Sequence, residues 1–230
     1  MPTTAEWDAI LLSLRVAAAS VAVMFIPAFA CAWVLARKRF VGKVLVDAIV
    51  HLPLVLPPVV VGYLLLAVLG RRGLIGGWVY DRLGIDVAFT WKAAAIAAAV
   101  MGFPLMVRAI RLAIELVDVR LEDAARTLGS GPWRVLWSVT LPLALPGVLA
   151  GIIMAFARSL GEFGATITFA GNIEGSTRTL PVAIFTLIQS PGGDAGAIRL
   201  VVISVALSLV ALVASELLAR RISRRIGTGG

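Results

Sequence analysis

The sequence has 230 residues, 60% of them apolar and only 15% charged, with a mean hydropathy of +0.99. Soluble domains carry about 45–50% apolar and about 25% charged residues, so this composition excludes a water-soluble domain. The formal charge is +8, from 21 basic and 13 acidic residues; the basic ones fall between apolar runs rather than in one patch, which reads as membrane topology and not as nucleic-acid binding.

At ~20 apolar residues per crossing, the chain has room for five or six spans and short links, with no space for a separate soluble domain. The first charges are Glu6 and Asp8, and the apolar run that follows continues to Ala36. That is unlike a cleavable signal, which has a basic start and a short apolar core. Span one is expected at about Ala9–Ala36, with Arg37, Lys38, Arg39 and Lys43 at its end. Span two is Ala48–Gly70; Pro53, Pro57 and Pro58 in its first half predict a broken or kinked helix. A polar link with four glycines runs from Arg71 to Asp86. Span three runs from about Val87 to Val107, with a helix extending as far as Val117. A polar segment follows, and span four is Val135–Ala157. Two short apolar pieces, Phe163–Ile173 and Thr179–Gly193, are interrupted by proline and glycine and suit re-entrant or protein-buried segments. The last span is about Ala197–Leu218, before Arg220, Arg221, Arg224 and Arg225. The single cysteine, Cys31, lies in an apolar run and cannot form an intramolecular disulfide. The single histidine, His51, reads as a helix-end or packing residue, since a metal site needs several ligands and no partners stand nearby.

Topology follows from counting. The links after spans one, three and five hold four, five and four basic residues, 13 in all, against eight on the other side. The positive-inside rule then gives an external N-terminus, an internal C-terminus and an odd number of spans, hence five. The fold class is an all-α, polytopic transmembrane bundle. Residues 1–230 form one transmembrane domain, and residues 118–134 are a cytoplasmic helix and loop within it.

That cytoplasmic segment carries the most information. Asp118 can cap a short helix, and Glu122 and Asp123 lie towards its positive dipole end. Leu121, Ala124, Ala125 and Leu128 fall at i, i+3, i+4 and i+7, a single apolar stripe. Gly129 can end the helix in the left-handed conformation, and Pro132 starts the next one. An amphipathic connector alone is unspecific. Small residues on it, at Ala124, Ala125 and Gly129, would let another protein approach its backbone.

Here the sequence resembles the permease subunits of bacterial ABC importers. Their cytoplasmic loop has the pattern E-A-A, three residues, G, nine residues, I, one residue, L-P. Asp123, Ala124, Ala125, Gly129, Val139 and Leu141-Pro142 keep that 20-residue register, with Asp for Glu and Val for Ile; Glu122 stands beside the acidic place and can serve in it instead. Three further stretches, Leu52–Val60, Ala157–Ala165 and Thr179–Pro181 with Thr186–Gly193, are similar to the molybdate permease subunits, and sulfate permeases share related sequence at greater length. The resemblance implies a non-catalytic membrane subunit in the bacterial inner membrane. It implies a homodimer, surrounded by lipid, that binds two cytoplasmic ATPase subunits and takes molybdate or tungstate, or alternatively sulfate or another oxyanion, from a periplasmic or lipid-anchored binding protein. This chain would bind no cofactor or metal, and ATP and Mg would be used by the partner. Glu122, Asp123, Ala124, Ala125, Leu128 and Gly129 would couple to the ATPase.

Other constellations are less specific. Gly147, Gly151, Ala155 and Ser159 repeat every four residues, a close-packing pattern read first as intramolecular packing and second as a dimer contact or pathway lining. Pro142 and Pro146 predict a distorted entry to that helix. Arg158 and Glu162, four apart, read first as a mutual pair and second as a gate. Ser159, Glu162, Thr166, Thr168 and Asn172 are the candidates for an oxyanion path or gate. The rival classes are a membrane-embedded enzyme and a passive channel. No phosphate loop, H-E-x-x-H or G-x-S-x-G occurs, and a channel needs no ATPase-facing helix.

Overall fold

The computed structural model describes the backbone of residues 3–227 and the side chains of residues 3–214 and 217; among these it is all helical, with no strand. The side chains of Arg220, Arg221, Arg224 and Arg225 lie outside the described residues.

Helix α1 spans Thr4–Arg37 and opens on a capping box, in which Thr3 Oγ1 accepts from the Glu6 N–H at 3.3 Å and the Glu6 carboxylate accepts from the Thr3 N–H at 2.8 Å. The expected second span is two helices, α2 (Lys43–Val55) and α3 (Pro58–Leu69), bent by 111°. The bend sits where the Pro57-Pro58 pair withholds two amide donors, and Leu56 is extended ahead of it. The Arg71–Asp86 link is not purely a loop: α4 (Gly76–Leu83) forms within it and ends at Gly84 with φ +64°. Its two leading glycines hide the helix from a propensity argument.

Helix α5 (Trp91–Glu115) is the centre of the bundle. Ala93, Ala94, Ala97 and Ala98 are fully buried, and this run of small side chains lets α1 and α8 pack along both flanks. After α6 (Val119–Thr127), a single long helical segment begins at Pro132. It comprises α7 (Pro132–Val135), a π turn at Leu136–Thr140 and α8 (Leu141–Leu160). The π turn is the expected distortion. Pro142 has no amide to give and its ring crowds the carbonyl one turn back, and the wider turn relieves that clash.

The two short apolar pieces are α9 (Gly164–Phe169) and α10 (Leu180–Ile188), neither long enough to cross. They are held by protein: α9 packs on α3 and α5, and α10 on α11 (Asp194–Gly227) and α1. The α3–α9 contact is backbone to backbone, since a Cβ on Gly62 would come within 2.7 Å of the Ala165 carbonyl oxygen. Among the described residues four helices are long and apolar enough to cross a membrane, and the bent α2–α3 pair, a broken span or a re-entrant loop by the same measure, makes a fifth if it counts as one span. Val202, Leu209, Val210 and Leu212 on α11 are each more than half exposed, which suits lipid rather than water.

Candidate functional site

Helix α6 projects from one end of the bundle and is terminated by its own sequence at both ends. Asp118 accepts from the Arg120 N–H at 2.9 Å at the start. At the finish Gly129 has φ +82°, the Ser130 N–H reaches the Ala125 carbonyl at 3.0 Å, and the Gly129 N–H reaches that of Arg126 at 2.9 Å. This paired closure is the Schellman arrangement that glycine favours.

The two faces of α6 differ. Leu121 and Leu128 are 50% and 86% exposed, and Ala124 is exposed beside them. The apolar stripe therefore has no cover within this chain. The inner face turns Glu122 into the protein, where its residue is only 3% exposed. Arg37, at the end of α1, donates to Glu122 Oε1 from Nε at 3.1 Å and Nη2 at 2.7 Å, and Nη2 also donates to the Val117 carbonyl. Thr140 Oγ1, in the π turn, donates to the same oxygen at 2.8 Å, and Arg126 approaches Oε2 at 3.4 Å. One carboxylate thus ties α6 to α1 and to the entry of α8. A fully hydrogen-bonded buried carboxylate with a forked guanidinium is a strong, directional joint.

The two acidic candidates separate on this geometry. Asp123 points outward, paired with Arg126 at 2.6 Å across an exposed surface, whereas Glu122 points inward. Ala124, Ala125, Leu128 and Gly129 complete the outer surface and the turn. Arg37 and Thr140, the partners of Glu122, escape a reading of the sequence: they lie 85 and 18 residues from it, and no spacing rule links them.

The small-residue stripe faces α5. A Cβ on Gly147 would overlap Ala113, one on Gly151 would sit 3.1 Å from Ala109 Cβ, and Ala155 is fully buried. Beyond the stripe, Ser159 accepts from Ser20 Oγ at 2.9 Å inside the α1–α5–α8 junction. Glu162 is 2% exposed; its Oε1 accepts from the Ala165 N–H at 2.9 Å and its Oε2 lies 2.7 Å from Arg158 Nη1. Thr166 is buried, and Thr168 Oγ1 donates to the Gly164 carbonyl at 2.8 Å. Asn172 is held elsewhere, donating to Thr186 Oγ1 at 2.9 Å and accepting from Arg178 Nε at 2.7 Å. Ser159, Glu162, Thr168 and Asn172 are therefore engaged in different local bonds rather than converging on one pocket. At the same end of the bundle as Asn172, Arg199 of α11 grips Glu6 at 2.7 Å, a tie between the first and last helices over 193 positions. No group of three or more His, Cys, Asp or Glu among the described residues is placed to hold a metal ion.

Residues 16–224 match the family described as the binding-protein-dependent transport system inner membrane component. The chain is 61% identical over 227 residues to the molybdenum transport system permease protein ModB of Escherichia coli strain K12, covering 98% of each. It is 52% identical over 224 residues to the protein of the same name in Haemophilus influenzae, covering 97% of this chain and 98% of that one. Among solved structures it is similar to a chain of a bacterial alginate ABC transporter, with a TM-score of 0.76 at 18% identity over 96% of this chain and 80% of that one. At that identity the likeness concerns the fold.

Proposed function

The chain belongs to the family of binding-protein-dependent transport system inner membrane components, and we propose that it is the permease subunit of an ATP-driven importer of molybdate, or of its congener tungstate. The observation that carries the mechanism is α6: an apolar stripe left uncovered on the outside and a buried carboxylate riveted to two spanning helices on the inside. The near full-length likeness to molybdenum permeases supports the cargo. Two copies of this chain form the pathway, and two cytoplasmic ATPase subunits dock on the two α6 helices. Those subunits hold the ATP and Mg; this chain supplies no hydrolytic group and no cofactor. A binding protein delivers the oxyanion on the opposite face, with the N-terminus outside and the C-terminus inside.

Movement of the ATPase shifts α6. The Glu122–Arg37 joint passes that shift to α1, and the Glu122–Thr140 bond passes it to the π turn and along α8. Because α8 bears on α5 through Gly147 and Gly151, it moves as a packed body and carries Ser159 and Glu162 at its far end. The Ser159 hydroxyl there, once it relaxes its local bonds, becomes a weak donor for a passing dianion. The test is uptake of radiolabelled molybdate into vesicles holding the permease, ATPase and binding protein, with ATP inside. ATP-dependent accumulation that tungstate competes away and sulfate does not is the expected result. Preferential accumulation of sulfate would reassign the cargo, and ATP-independent equilibration would make the protein a channel.

A further inference from the structure

Beside the Glu122 joint lies a cavity of about 490 Å³ whose rim carries Arg37, Lys38, Arg39, Lys43 and Arg126. Its only acidic lining residue is Glu122, already occupied by Arg37, Arg126 and Thr140. Lys38, Arg39 and Lys43 make no ion pair among the described residues. The cavity is therefore a concentrated positive field with one neutralised acid inside it.

A second cavity, of about 480 Å³, lies beside the first and shares Trp33, Lys38, Pro132 and Leu136 with it. Its other walls are Phe29, Ala30, Val34 and Trp133, all apolar. It runs back along α1 from Lys38 to Phe29, which at 1.5 Å per residue is ~13 Å of helix. If the basic cluster lies at the headgroups, this groove lies in the hydrocarbon. Trp33, with Lys38 Nζ 5.4 Å from its ring centre, stands where the two cavities meet, and the 75%-exposed Trp133 flanks the groove, positions that suit interfacial tryptophans.

We infer that the two cavities together are a binding site for an anionic phospholipid, its phosphate among Lys38, Arg39 and Lys43 and one acyl chain in the groove between α1 and Trp133. A docked ATPase works from water and cannot fill a groove at hydrocarbon depth. A second copy meeting this face across a two-fold axis would set the basic cluster against itself. A lipid satisfies both halves: basic pockets between helices on the cytoplasmic side are where anionic headgroups bind. The occupant sits against Pro132 and Leu136, next to the joint that ties α6 to α1, so its presence stiffens the route by which the ATPase drives the spans.

The inference rests on the cytoplasmic placement of α6, but its test needs no transported substrate. Native mass spectrometry is applied to the permease–ATPase complex purified in mild detergent from membranes containing phosphatidylglycerol and cardiolipin. The wild type should retain anionic lipid. The Lys38→Gln/Arg39→Gln/Lys43→Gln variant should hold it on the order of a hundredfold more weakly, given three lost charges near the surface. Ala30→Trp, which fills the groove without altering charge, should also lose the lipid. Added inorganic phosphate should leave the lipid in place. Equal lipid retention by both variants would overturn the site, as would displacement by phosphate alone, which would identify a soluble-anion pocket. A cysteine at position 30, in a Cys31→Ser background, that cross-links two copies in membranes would show the groove to be a subunit contact instead. Molybdate uptake by the wild-type complex is scored separately, so the lipid site and the transport reading can fail independently.

Discussion

Gly129 stands in open space: a Cβ built on it meets nothing within 4 Å, and only its φ of +82° disfavours a side chain. A left-handed residue other than glycine costs about 1–2 kcal/mol there, too little to unfold a bundle of five spans. Gly129→Asp should therefore leave membrane abundance near normal while abolishing uptake, because a carboxylate at the proposed docking surface loses its water without gaining a partner. Uptake, ATPase activity and immunoblotting on one variant check this; normal uptake at normal abundance would remove the turn from the mechanism. The neighbouring acids should divide sharply. Glu122→Ala leaves the partly buried Arg37 without its carboxylate, a change that approaches the ~3–5 kcal/mol of a broken buried pair, and should lower both thermal stability and uptake. Asp123→Asn touches only an exposed pair worth about 0–1 kcal/mol and should lower neither. Thermal unfolding of the two purified variants distinguishes them, and equal behaviour would contradict the inward and outward assignment. The sequence could not make that division. The loop register makes Asp123 the acidic position, and only the fold brings Arg37 and Thr140 around its neighbour.

At the level of elements, the apolar runs and prolines were legible. The break near Pro57-Pro58, the capped and glycine-ended α6, the entry distortion before Pro142 and the two short non-crossing pieces all follow from local chemistry. What stayed hidden was α4, whose leading glycines read as a loop, and the partner of the Gly147–Gly151 stripe. A stripe of small residues announces a close neighbour without saying which, and here it is α5, against Ala109 and Ala113. Gly147→Leu should accordingly force α8 off α5 and reduce folded, membrane-inserted protein, since overpacking of a fitted contact costs about 1–3 kcal/mol or more. Size-exclusion profiles and protease resistance in detergent measure this. A well-folded variant that lost only dimerisation would move the stripe to a subunit interface. The path candidates were the least legible, because hydroxyl and amide side chains are common in helices and their bonds, such as Ser20 to Ser159, join residues 139 positions apart.

For the whole molecule, the asymmetry of charge is the strongest guide. With 13 basic residues assigned by the sequence to the cytoplasmic links and eight to the other side, single cysteines near residue 3 and residue 227 should be labelled by an impermeant reagent only at the N-terminal position in sealed cells. Equal labelling would exclude five spans. Native mass spectrometry of the purified complex should give two permeases to two ATPases, and a transport-competent monomer would contradict the dimer. Calorimetry on the permease alone should detect no sub-micromolar oxyanion binding, because a pathway that held a dianion tightly would release it slowly. Arg158 on α8 and Arg199 on α11 are already committed, to Glu162 and to Glu6.

The π turn at Leu136–Thr140 also sets a phase. A helix advances ~100° per residue, so one residue more or fewer between two faces turns one against the other by that amount. On one side of this turn lie Pro132 and the approach to α6, and on the other the glycines that seat α8 on α5. The extra residue therefore works like the keyed slot between a shaft and its wheel, fixing the angle at which α6 is presented relative to the face of α8 that packs on α5. Deleting Val139 should restore an ordinary helical turn while swinging Thr140's bond to Glu122 out of alignment. The glycine contact should survive and the protein should insert, yet ATP hydrolysis should no longer turn the bundle.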